Sequence, residues 1–162
     1  MTREVPMVSG PIQQPPTLPG GLRPSAARRP PTTPLGDLHP LTRALAVAPA
    51  EPRWREHVLG GLGPVRQGFA EHVRTTEGPA GLYAELLGQA PRLARGVRLL
   101  AREHAAITAA LAALQQAAEL PDAPVDDLLA RAAHLLRVLA RHRQRGADLL
   151  WEAYETDLGG ET

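Results

Sequence analysis

The sequence contains no cysteine, so neither a disulfide framework nor a thiolate metal site is available to this chain. It also contains no lysine and no asparagine, and every basic residue except histidine is an arginine. Any metal site must therefore use nitrogen and oxygen ligands. The formal net charge of +1 gives no basis for electrostatic binding to nucleic acid or to a membrane surface.

Aromatic residues and long apolar runs are scarce as well. Two tryptophans, two tyrosines and one phenylalanine make up the aromatic content, which favours closely packed helices over a β-sandwich. No apolar stretch is long enough to cross a bilayer, and the first ten residues lack the apolar segment of a signal peptide. We therefore expect a cytoplasmic protein with one folded domain.

The proline-rich N-terminal segment, residues 1–34, differs in composition from the rest of the chain. Its few apolar side chains cannot offset the entropy of ordering the chain, so we predict a disordered tail there. The tail is a solvated extension, a tether or a docking peptide for a protein partner. A helical domain is predicted over residues 35–155, followed by a frayed C-terminal tail at 156–162.

Apolar spacing and helix-capping residues predict an all-α, up-and-down bundle of three long helices plus an optional short N-terminal helix. The predicted ranges are 35–47 for the short helix and about 52–77, 91–119 and 124–154 for the long ones, with a further helical turn or two at 81–88. A kink is expected near Pro64, because glycines cluster around it. Pro124, with Asp126 and Asp127 after it, is typical of a helix start.

Each long helix carries one histidine in its apolar stripe: His72, His104 and His142. The stripes repeat every three to four residues, which is the period of a helix with one buried face. Counting residues from the loop at Pro124 sets His104 and His142 at about the same level in an antiparallel pair, whereas the level of His72 stays open.

A buried imidazole needs a hydrogen-bond partner or a metal, so the three histidines are either structural or metal ligands. Glu77 follows His72 by a little more than one turn and is a candidate carboxylate ligand. Glu103 adjoins His104 but points about 100° away from it, so we expect it to act outside the ligand set. The same counting places His57 and His134 apart from these three histidines, and His39 is a possible fourth contributor to the site.

Three segments resemble the helices of hemerythrin-like (HHE cation-binding) domains. LAREHAAITAALAAL is similar to the third-helix signature, FAEHVRTTEGPAGLYAELL to the second helix and LARHRQRGADLLWEAY to the last. The resemblance implies a four-helix bundle with a non-haem di-iron centre. It also implies His72, Glu77, His104 and His142 as the iron ligands. Gly146 stands where the family carries a carboxylate, so a mononuclear site and a bundle without metal remain open.

The sequence thus predicts a hemerythrin-like iron protein that binds or senses oxygen, nitric oxide or redox state. No catalytic triad and no phosphate-binding glycine loop is recognisable, which favours binding over catalysis. The alternative is a metal-free helical adaptor that recruits a protein through its tail or through the arginine row of the last helix, Arg137, Arg141 and Arg145.

Overall fold

A computed structural model describes residues 35–155, which contain five α-helices and no strand. The helices are α1 (His39–Ala46), α2 (Trp54–Glu77), α3 (Leu82–Gln89), α4 (Ala94–Glu119) and α5 (Val125–Glu155), with a 3-10 turn at Pro91–Leu93. The all-α prediction is confirmed, as are the three long helices and the short N-terminal one. Within this range, no helix is both long and apolar enough to cross a membrane. The predicted tails, 1–34 and 156–162, lie outside the described residues.

The three long helices run antiparallel to their neighbours. Arg55, at the start of α2, donates hydrogen bonds to the carbonyls of Ala117 and Leu120, at the end of α4, at 3.4 and 3.1 Å. Arg92, just before α4, donates to the carbonyl of Glu152 near the end of α5 at 3.2 Å. These cross-connections fix the up-and-down order that the short loops predict.

Two hydrophobic clusters fill the bundle, one at each end. The larger combines α1 with the facing stripes of the three long helices, around Leu41, Phe69, Ile107 and Leu139. The smaller joins α3 to the start of α4 and the end of α5, and its members include Leu86 and Leu149. The two short helices therefore cover opposite ends of the three-helix core.

Two glycines of α2 allow the N-terminal segment to pack closely against this helix. A Cβ atom on Gly61 would lie 2.7 Å from the Cα of Leu41, and one on Gly68 would overlap the backbone of Gly36. Gly36 itself has φ of 94°, a left-handed conformation that favours glycine. Glycines at 61 and 68 therefore serve helix packing, and α2 continues through Pro64 as a single element.

Candidate metal centre

His72 of α2, His104 of α4 and His142 of α5 meet in a polar layer between the two hydrophobic clusters. Their exposed fractions are 9%, 2% and 2%, so all three side chains are buried. The predicted common level of His104 and His142 is confirmed, and His72 lies at that level too. Each of these residues is one turn from a member of the larger cluster, so ordinary helical packing sets its position.

The three imidazoles converge through their Nε2 atoms. Nε2 of His142 lies 3.1 Å from that of His104 and 3.2 Å from that of His72. The ring of His72 is inclined by 87° to that of His104 and by 89° to that of His142, so the rings approach a common point from different directions. Within residues 35–155, these three side chains form the group of ligand atoms that could hold a metal, all within 4.8 Å of one another.

Carboxylates contact the Nδ1 atoms of two of these rings. Oε1 of Glu77 lies 2.5 Å from Nδ1 of His104, and Oε2 of Glu103 lies 3.0 Å from Nδ1 of His142. Arg145 forms an ion pair with the other oxygen of Glu103, which holds that carboxylate in place. A second layer of this kind, carboxylate behind imidazole, orients histidine ligands in metal sites.

The contacts with Glu77 and Glu103 also determine which nitrogen of each imidazole ring carries the hydrogen. An ionised carboxylate can only accept a hydrogen bond, so the hydrogen lies on Nδ1 in both His104 and His142. Both Nε2 atoms are then hydrogen-bond acceptors, yet they face each other at 3.1 Å. Two lone pairs at this distance repel each other, and a cation bound by both nitrogens, either a proton or a metal ion, removes this repulsion.

Burial disfavours the protonated form of these two imidazoles. It lowers the pKa of both imidazoles below the usual value, and in His104 the hydrogen bond to Glu77 partly offsets this effect. At neutral pH both rings are therefore neutral. Neutral imidazole with an exposed lone pair is the form that binds transition metals.

The spacing of the nitrogens fits a transition-metal ion. With metal–nitrogen bonds of about 2.0 to 2.1 Å, two ligands of one ion are separated by about 2.9 Å at a right angle and about 3.4 Å at the tetrahedral angle. The separations of 3.1 and 3.2 Å lie between these values. Two of the three nitrogen pairs, both involving His142, thus have the spacing of ligands of one ion.

Two aromatic side chains enclose the histidines. The ring centroid of Phe69 lies 5.9, 5.7 and 6.4 Å from those of His72, His104 and His142, on the side of the larger cluster. Tyr83 belongs to the smaller cluster and stacks on His104 at 5.8 Å, with its hydroxyl 3.4 Å from Nε2 of that ring. The site therefore has an apolar wall on one side and a phenol hydroxyl on the other.

The other predicted site residues fall into two groups. Glu77 and Glu103 both lie beside the histidines, with their carboxylates on Nδ1 atoms. The placement of Glu103 agrees with its predicted position outside the ligand set. The remaining histidines, His39, His57 and His134, are exposed and lie outside the cluster.

The chain matches no protein-family model, no curated protein and no solved structure. The hemerythrin-like resemblance therefore stays a prediction, supported by the three sequence segments quoted above. Any functional inference depends on the geometry of the site itself.

Sequence reasoning missed two contributors to the site. Tyr83 lies on the short helix α3, whose position depends on how the chain turns at Gly78 and Gly81, and its spacing carries no metal-binding signal. Arg145 was grouped with Arg137 and Arg141 as one surface row, but it is half-buried against Glu103. The one available signal was the position of Arg145, three residues after His142 and on a neighbouring part of the same helix face.

Proposed function

We propose that this protein binds a single divalent transition-metal ion, non-haem iron, through Nε2 of His72, His104 and His142. The observation that carries the proposal is the contact between two acceptor nitrogens, His104 Nε2 and His142 Nε2, whose Nδ1 hydrogens are held by carboxylates. A bound cation relieves this contact and gains the nitrogens as ligands.

The arrangement favours one ion over two. A di-iron centre needs carboxylates that bridge or ligate the ions. The two carboxylates near the histidines, Glu77 and Glu103, instead face Nδ1 atoms on the outer side of the rings. We therefore propose a mononuclear site in which these carboxylates orient the histidines and offset the charge of the ion.

Three protein ligands leave at least one coordination position of the ion for a small molecule. We propose that the protein, located in the cytoplasm, binds or senses oxygen, nitric oxide or redox state through that position. Burial of the site favours small uncharged or singly charged ligands. Iron is preferred because of the hemerythrin-like resemblance, and zinc is the competing ion because three histidines with carboxylate partners also suit it.

Metal analysis of protein purified without a His-tag, before and after anaerobic loading with ferrous iron, tests the proposal. We expect about one iron per chain, and we expect His104→Ala to abolish its uptake because one of three ligands is lost. His134→Ala is the matched control, since His134 is exposed and lies outside the cluster. Equal iron content in the wild type and His104→Ala would refute the assignment. One zinc per chain in place of iron would correct the identity of the ion and support the proposed site.

The second candidate is a metal-free adaptor that recruits a protein partner. It is favoured by the exposure of Arg137 and Arg141 on α5 and by Trp151, whose side chain is 68% exposed. In that case His104→Ala would lower the stability of the protein without changing its metal content. The metal content and the stability of His104→Ala therefore separate the two candidate functions.

A further inference from the structure

The outer face of α4 carries an exposed stripe, on the side of the helix opposite to His104. It begins at Leu99 and ends at Leu120, directly after the helix, and these two side chains are 37% and 60% exposed. Steps of three and four residues join the two leucines through Arg102, Ala106, Ala109, Ala113 and Gln116, which are exposed except for the half-buried Ala113. This seven-residue repeat is the one with which two helices pack along their length.

The stripe is complementary to itself when two copies of α4 run antiparallel. The midpoint between positions 99 and 120 falls just after Ala109. A two-fold axis at this midpoint sets Leu99 of one copy against Leu120 of the other and brings Ala109 close to its own counterpart. At 1.5 Å per residue, the paired stretch is about 32 Å long. The exposed leucines are then removed from water, and the alanines between them do not hold the two helices apart.

The charges along α4 follow the same symmetry. Arg95, Arg98 and Arg102 are exposed in the first part of the helix, and none of them forms an ion pair within residues 35–155. Two exposed acidic residues, Glu119 and Asp122, lie at the other end. In the antiparallel pair, Arg98 is level with Glu119 of the second copy and Arg95 with Asp122. A parallel pair would instead bring the arginines of both copies together, so the charges favour the antiparallel arrangement.

We propose that the α4 face from Arg95 to Asp122 binds the same face of a second copy of this chain in an antiparallel, two-fold symmetric dimer. The two-fold axis closes the assembly, because each copy uses the whole face on the other. The metal centre lies on the opposite side of α4, inside the bundle, so the dimer does not depend on metal binding. Exposed ion pairs contribute little and are screened by salt, so the association is weak and depends on salt concentration.

Sedimentation velocity of the full chain, at rising protein concentration and at low and high salt, measures the association. We expect a monomer–dimer equilibrium that shifts toward monomer at high salt. Ala109→Arg places two like charges at the two-fold axis and should weaken the dimer by about tenfold or more. Ala140→Arg is the matched control, because Ala140 is exposed on α5. Circular dichroism checks that both variants keep their helix content. A wild type that stays monomeric at every concentration, or a dimer unaffected by Ala109→Arg, would overturn the proposal.

The absence of cysteine from the chain allows a direct test of the register. Leu99→Cys and Leu120→Cys are oxidised with diamide, each alone and as an equal mixture. In the antiparallel dimer, position 99 of one copy faces position 120 of the other, so the mixture should form a disulfide-linked dimer much faster than either variant alone. A mixture of Leu99→Cys and Ala140→Cys is the control for random collision. Crosslinking that is equally fast in all samples, or fastest in a single variant alone, would overturn the antiparallel register and the proposal with it.

Discussion

Glu103 precedes His104 in the chain, yet its carboxylate contacts His142 on the neighbouring helix, with Oε2 3.0 Å from Nδ1. The two adjacent residues of α4 point about 100° apart, so one enters the centre and the other reaches across to α5. His104 receives its own carboxylate from Glu77 at the end of α2. Each of these two histidines is therefore oriented by a different helix from the one that carries it.

Glu103→Gln tests this orientation. The neutral amide is a weaker acceptor than the carboxylate and leaves Arg145 without its ion-pair partner, so the Nδ1 hydrogen of His142 is held less firmly. We expect affinity for ferrous iron or zinc to fall by about ten- to a hundredfold with the stoichiometry unchanged. Glu71→Gln is the control, because Glu71 pairs with Arg74 on the exposed face of α2. Unchanged affinity in Glu103→Gln would exclude an orienting role.

The same substitution at Glu77 separates two roles for this residue. If Glu77 orients His104, as its contact with Nδ1 suggests, Glu77→Gln lowers metal affinity in the same graded way as Glu103→Gln. If Glu77 is instead a metal ligand, as the hemerythrin-like resemblance implies, the substitution should remove most of the binding. Titration of both variants with the same metal decides between these outcomes.

Acidification should destabilise the metal-free protein. Burial lowers the folded-state pKa of His104 and His142, whereas in the unfolded chain an imidazole titrates near its usual value of about 6.5. As pH falls below that value, the unfolded state binds more protons than the folded state, so the free energy of unfolding decreases. Above it, both states are neutral at these residues and their contribution to stability is fully present.

Urea unfolding of the metal-free protein between about pH 5 and about pH 8 measures this dependence. Bound metal should make the loss steeper, since the same deprotonated nitrogens hold the ion. His57→Ala should leave the profile unchanged, because His57 is exposed on α2. Stability that rises on acidification would contradict the assignment of two neutral buried imidazoles.

Substitution by alanine should change the stability of the protein in opposite directions at two glycines of α2, Gly68 and Gly63. At Gly68 an added Cβ would overlap the backbone of Gly36, so Gly68→Ala forces the N-terminal segment away from α2 and lowers stability by about 1 to 3 kcal/mol. At Gly63 an added Cβ meets no atom within 4 Å, and Gly63→Ala should stabilise the helix by up to about 1 kcal/mol. Thermal melts compare the two. A loss of stability at both positions would show that the difference in packing is not the cause.

Gly146→Glu tests whether the site accepts a carboxylate where hemerythrin-like domains carry one. Gly146 is half-buried one turn beyond His142, and an added Cβ meets no atom within 4 Å. The new side chain should raise the free energy of unfolding by up to about 1 kcal/mol through helix propensity and should increase affinity for ferrous iron. Gly146→Ala is the control, with the same gain in stability and no gain in affinity. Equal iron binding by the two variants would mean that the carboxylate does not reach the metal.

The helices could be predicted because their signals are local. The end of α2 at Glu77 and the start of α5 after Pro124 follow from glycine, proline and acidic residues next to them in the chain. The stripes that bury His72, His104 and His142 follow from helical periodicity. α2 continues through Pro64 as one helix, and the kink predicted there stays a prediction. The Gly61 and Gly68 contacts with the N-terminal segment were not visible in the sequence, since close packing depends on what lies opposite.

The sequence by itself determined that three histidines are buried, one on each of three long helices, because burial follows from spacing along a single helix. Tertiary structure alone decided that their Nε2 atoms meet, that Glu77 and Glu103 contact the Nδ1 atoms, and that Tyr83 completes the site. These relationships join residues on different helices. They depend on the rotation of each helix about its axis and on its level relative to its neighbours, which the packing of the two hydrophobic clusters sets and no single stretch of sequence encodes.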